Sequence, residues 1–246
     1  MKNTVFYVGG SKGGVGKSMV AITLLQYLID RFGDEKNIHL LETDNGNPDV
    51  WRIYRNKLPV NLFSLDEDQK GWQGVADLIE RAKDTLFVIN SAATSNVGLA
   101  VHGRDFSAFL EEISNECDYV TFWVLNRQKD SVQLLEDYLK VVDAGRLFVV
   151  RNNYWGPREE FGLYEQIRDK SELIRNRVDG ELDFPPLSDL VADEFYTGGR
   201  TIAETLEHLT MFGRISFKSW YAAARNMFDM TGIFDEAESE AANGES

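Results

Sequence analysis

The 246-residue chain predicts an α/β fold: a mainly parallel, twisted sheet with helices on both faces and a helical C-terminal part. Three observations carry that expectation. Short apolar segments alternate with segments of helical spacing, the pattern that βαβ units leave in a sequence. The apolar segments run without polar alternation, as strands buried on both faces do. A glycine-rich turn joins the first apolar segment to the first helical one.

Taken in order, residues 4–9 (TVFYVG) read as a buried strand. A helix at 17–32 follows, with Val20, Leu24, Leu25, Leu28 and Ile29 spaced for one face and Gly33 placed to end it. Residues 38–42, 60–64, 85–90, 119–125 and 146–151, rich in Val, Leu and Phe, read as further strands, with helices at 71–83, 104–115 and 130–141 between them. Asp130 and Gln133 suit the N-cap and third position of the last of these. From about residue 160 the pattern is mostly helical: a mixed-charge helix at 161–177, a short strand at 182–184 before Pro185-Pro186, and two helices after Gly198-Gly199. The last, at 212–230, carries Phe217, Trp220, Tyr221 and Phe228 and is expected to pack as core. One domain over 1–234 and a disordered, acidic tail over 235–246 complete the expectation.

Composition narrows the function. With 26 Lys+Arg against 40 Asp+Glu the net charge is -14, which argues against a surface devoted to nucleic acid but leaves room for a local basic patch. No apolar run approaches the roughly 20 residues that cross a bilayer. The amino terminus leads straight into a strand without a signal-peptide pattern, so a cytoplasmic location is expected. Cys117 is the one cysteine and reads as a buried structural thiol. With His39, His102 and His208 scattered, neither a disulfide framework nor a His/Cys zinc cluster is available.

The turn reads Gly9-Gly10-Ser11-Lys12-Gly13-Gly14-Val15-Gly16-Lys17-Ser18. Strand, glycine-rich turn and helix amino terminus together form a phosphate cradle: glycines let backbone N–H groups converge on phosphate oxygens, and the helix terminus adds unused N–H groups and partial positive charge. Lys17 can reach the β- and γ-phosphates, and the Ser18 hydroxyl can ligate Mg²⁺. The pattern G-x-x-x-x-G-K-[ST] is not met, because Ser11 stands where its first glycine belongs; the match is to K-G-G-x-G-K-[ST], with a second lysine at Lys12.

This variant resembles the deviant Walker A loop of the ParA/MinD superfamily of P-loop ATPases, which includes plasmid partition and conjugal-transfer members. The resemblance implies that Ser11 through Met19 (Ser11, Lys12, Gly13, Gly14, Val15, Gly16, Lys17, Ser18, Met19) contact the nucleotide. It also implies that Lys12 reaches the nucleotide of a second subunit, so that dimerisation depends on ATP. Leu41-Glu42-Thr43-Asp44 resembles the family's switch I, with Asp44 placed to orient the attacking water near Mg²⁺ and Glu42 where the first Asp of D-x-D stands. At the end of the strand at 85–90 the family's Mg²⁺-holding Asp is replaced by Asn90, which brings no negative charge and implies slow hydrolysis. Asn152 and Pro185 match positions near the adenine. The absence of an N-K-x-D guanine signature favours ATP over GTP.

A DNA-bound adaptor is the partner the resemblance implies. Two basic stretches bear on direct DNA contact. The one from Arg151 to Arg177 is interleaved with acids and reads as a solvated face. The one at 200–225, with Arg200, Arg214, Lys218 and Arg225, is cleaner. Anionic lipid would repel the acidic tail, so membrane attachment is not expected. Two other readings stay open: a nucleotide-binding scaffold with little hydrolysis, and a small-molecule P-loop phosphotransferase.

Overall fold

The computed structural model describes residues 2–10, 13–66 and 68–235. Ser11, Lys12 and the tail beyond Asp235 therefore lie outside the described residues. Seven strands, β1 (Asn3–Gly10), β2 (Asn37–Glu42), β3 (Val60–Leu62), β4 (Thr85–Asn90), β5 (Cys117–Leu125), β6 (Arg146–Asn152) and β7 (Gly180–Phe184), form one sheet in the order β3-β2-β4-β1-β5-β6-β7. Every pairing is parallel. This is the expected α/β class, a parallel sheet with helices on both faces.

Period-two side-chain alternation divides the core into two layers. On one face, Phe6 and Val8 of β1 join a cluster with α1 (Lys17–Phe32), α2 (Asp49–Tyr54), α8 (Asp189–Gly198), α9 (Ile202–His208) and α10 (Met211–Asp229). On the other, Val5 and Tyr7 meet α3 (Gln69–Arg81), α4 (Ser95–Glu112), α5 (Lys129–Leu139), α6 (Gly162–Lys170) and α7 (Glu172–Arg177). Burial of β1 and β4 on both faces explains their unbroken apolar sequences. The C-terminal part is helical as expected, and α10 buries Phe217, Trp220, Ala224 and Phe228 against the α1 layer. Among the described residues no helix is long and apolar enough to cross a membrane.

Some elements depart from expectation. The helix expected at 104–115 begins at Ser95. Its first turns hold Ser95, Asn96 and Gly98, which read as loop, but a Cβ at position 98 would come within 2.4 Å of the backbone oxygens of Leu65 and Asp66. Glycine there serves close packing. The helix expected at 161–177 is split at Ser171, whose hydroxyl accepts from the Ile174 N–H and starts a new helix. Lys129 rather than Ser131 opens α5, Asp130 falls inside its first turn, and the Ser131 hydroxyl accepts instead from the Asn126 N–H at 3.2 Å. α2 and α8 were not expected as separate helices. Asp235, where the acidic tail begins, pairs with Arg31 at 2.9 Å.

Candidate functional site

β1 delivers the chain to the carboxyl edge of the sheet, where ligands of open parallel sheets bind, and α1 carries it away. Gly14 (φ 80°) and Gly16 (φ 106°) both take left-handed backbone, and Gly16 is the N-cap of α1. A Cβ on Gly16 would also sit 2.2 Å from Asn152 Nδ2. That amide nitrogen donates to Val15 O at 2.8 Å, while Asn152 Oδ1 accepts from the Tyr154 N–H at 3.1 Å. Asn152 therefore clamps the loop to the end of β6. The ladder of α1 starts with Val20 N–H to Gly16 O at 3.1 Å, so the preceding N–H groups are not used by the helix. No acidic residue occupies the first turn of α1 to compete with an anion.

Lys17 is buried at the start of that helix. Desolvation lowers its ammonium to about 8, against the opposing pull of the Asp44 carboxylate. A lysine held short of full solvation beside a phosphate-shaped loop gains from an anionic ligand. Ser18, next along the helix, is half-buried.

Across the sheet, Glu42 and Asn90 are direct partners in the β2–β4 register. The wholly buried Glu42 carboxylate accepts from Asn90 Nδ2 at 2.9 Å, the Asp44 N–H at 3.0 Å and the Trp51 N–H at 3.3 Å. Burial pushes its carboxyl up to about 7. Thr43 Oγ1 donates to Asn90 O at 3.0 Å and accepts from the Ala92 N–H at 2.9 Å, which ties the segment after β2 to the end of β4. The half-buried Asp44 accepts from the Asn47 N–H at 3.0 Å. Asn90 Oδ1 is buried with no protein partner, so an acceptor of the kind a metal-bound water needs is present. The oxygen donors of Ser18 and Asp44 suit a hard divalent cation.

Beyond the loop, a cavity of about 260 Å³ is lined by Gly14, Gly16, Met19, Asn152, Tyr154, Phe184, Pro185, Leu187, Asp189, Ala192 and Tyr196. It brings together Met19, Asn152 and Pro185, three residues assigned to nucleotide contact from the sequence. Pro185 is held in place by Trp220 Nε1, which donates to its carbonyl at 2.9 Å. Arg151, counted among basic surface residues by its position, is instead buried. Its guanidinium grips Asp183 through Nε at 2.8 Å and Nη2 at 2.9 Å, and Glu181 through Nη1 at 2.7 Å.

Sequence reading did not assign roles to Thr43, Asn96, Tyr154 or Tyr196. Asn96 Nδ2 reaches Gly10 O at 3.4 Å and so links α4 to the end of β1. Single polar residues give no periodic signal, and only the fold brings them to the site. The same holds for the two tyrosines, which are 42 positions apart and on different elements. Lys12 and Ser11 fall outside the described residues.

No protein-family model matches the chain. It is 33% identical over 236 residues to Protein MobD of Acidithiobacillus ferrooxidans, an alignment that covers 96% of this chain and all of that protein. It is 28% identical over 211 residues to Protein TraL of Escherichia coli, covering 82% of each. Among solved structures, a plasmid partition protein from Borrelia burgdorferi superposes with a TM-score of 0.46 at 13% identity, over 93% of this chain and 98% of that one.

Proposed function

The chain belongs to the MobD family, and on that premise we propose that it is an ATP-dependent switch of the conjugal-transfer or partition type. It binds ATP and Mg²⁺ on the loop from Gly9 to Ser18, pairs with a second copy around the bound nucleotides, and resets by slow hydrolysis. The observation that carries this reading is the convergence of the left-handed Gly14–Gly16 turn, buried Lys17 and Asp44 at the amino terminus of α1.

In this reading Lys17 and the first N–H groups of α1 hold the phosphates, and Lys12 reaches across the dimer. Ser18 and Asp44 would hold Mg²⁺, with Asn90 Oδ1 accepting from water beside it. The ion, when bound, neutralises charge on the phosphate oxygens. Asp44 orients the attacking water by accepting its hydrogen. Asn90 keeps the acceptor geometry but lacks the charge of a carboxylate, so turnover is slow. Asn90 also favours the second reading, a scaffold that binds nucleotide and barely hydrolyses it.

The protein would act in the cytoplasm through an adaptor on DNA. Direct DNA contact would fall to residues 200–225. There Arg200 pairs with Glu194, Arg225 lies against the Tyr221 ring and Arg214 donates through Nη2 to Leu209 O at 3.4 Å, so exposed Lys218 and the rest of the exposed Arg214 guanidinium would meet phosphates.

Sedimentation velocity with ADP, ATP and a slowly hydrolysed ATP analogue tests the switch. A dimer with triphosphate alone, lost in Lys12→Ala, is the expected result. A monomer in every condition would defeat the switch and leave the scaffold reading.

A further inference from the structure

The cavity beside the phosphate loop contains two aromatic rings that the reading above does not use. Tyr154 follows β6 and is 66% exposed; Tyr196 is on α8 and is 62% exposed. The ring contact of each is with its neighbour in the chain. Tyr154 stands edge-on to Trp155, with centroids 5.4 Å apart, and Tyr196 edge-on to Phe195 at 5.9 Å. Both line the same cavity as Gly14 and Gly16. Desolvation, and then the nearby Tyr154, raise the Tyr196 hydroxyl above its ordinary range, which brings the two side chains into one neighbourhood.

At about 260 Å³ the cavity falls below the roughly 300–1,000 Å³ that encloses a whole drug-sized ligand, so it suits one part of a nucleotide rather than all of it. With the phosphates on the loop, the part left to fill it is the base. Asn152 is held as a clamp on the loop, with one N–H given to Val15 O and its oxygen accepting from the Tyr154 N–H, so only one N–H and one lone pair remain for a base edge. Asp189 offers acceptors to a ribose hydroxyl or a base amine but no flat face. What remains for a planar ring is stacking, which the exposed tyrosine rings supply.

We propose that Tyr154 and Tyr196 are the base-binding residues of this site, holding the nucleobase by stacking, while Asn152 acts as a positioning residue for the phosphate loop. The proposal rests on the nucleotide reading of that loop.

Calorimetric titration of ATP and of inorganic tripolyphosphate, in Mg²⁺, into wild type, Tyr154→Ala, Tyr196→Ala and Tyr196→Phe tests it. Each alanine variant should bind ATP about tenfold more weakly, the scale of one lost base–aromatic stack. Tripolyphosphate affinity should not change, and Tyr196→Phe should keep wild-type ATP affinity. Alanine variants that bind ATP as wild type does, or that lose ATP and tripolyphosphate in parallel, overturn the proposal while leaving the phosphate loop intact. A wild-type protein that binds neither ligand overturns the nucleotide reading as well.

Discussion

Glu42 and Asn90 face each other across neighbouring strands, joined by a 2.9 Å hydrogen bond in a fully buried setting. An amide there donates to the carboxylate; a second carboxylate would repel it. Glu42 is raised from 4.5 to about 7 by burial, so between those values the folded protein keeps a proton that the unfolded chain has lost. The stability this group contributes is present below pH 4.5 and is lost as pH rises through 7. Asn90→Asp should deepen that loss. At pH 8 we expect the variant to be less stable than wild type by on the order of 3 kcal/mol, the scale of an uncompensated buried charge. The deficit should shrink at pH 5, where one carboxyl holds a proton and donates to the other. Urea unfolding at the two pH values measures the difference, and a deficit independent of pH would contradict the pairing. The residue types at 42, 44 and 90 were legible in the sequence. Their direct contact was not, because it depends on the β2–β4 register.

At the scale of elements, strands buried on both faces and the largely buried, apolar-rich α1 were readable because long apolar patterns survive without tertiary context. The start of α4 was not, since Gly98 lowers helix propensity and the reason for it is a neighbouring backbone. Gly98→Ala tests this. A Cβ 2.4 Å from the oxygens of Leu65 and Asp66 must displace either the helix or the 65–66 segment. We expect a cost of about 3 kcal/mol, at the upper end of the range for overpacking, and a melting temperature lowered by roughly 6 °C or more. A thermal midpoint within a degree of wild type would mean that the close packing is not maintained. α2 escaped notice because its six residues are too few to establish a period.

For the whole molecule, the net charge of -14 is no obstacle to an anionic ligand. The loop proposed to hold phosphate would take its positive potential locally, from the α1 terminus and buried Lys17. Part of the basic charge is spent on ion pairs within the protein: buried Arg151 sits between Asp183 and Glu181, Arg168 meets Glu181 at 2.6 Å, and Arg177 meets Asp143 at 2.9 Å. Charge counted along the chain therefore overstates what the surface offers to DNA. The loop and switch positions of the candidate site were readable as motifs, whereas the cavity beyond them was not, because it is assembled from β6, β7 and α8. The account stands or falls on the phosphate loop. Calorimetric titration of Mg²⁺-ATP into wild type and Lys17→Ala tests it most directly. Saturable 1:1 binding that weakens at least about tenfold in the variant, the loss of a charge-assisted phosphate contact, is the predicted result; no ATP binding by wild type, or equal affinity in the two proteins, would contradict it.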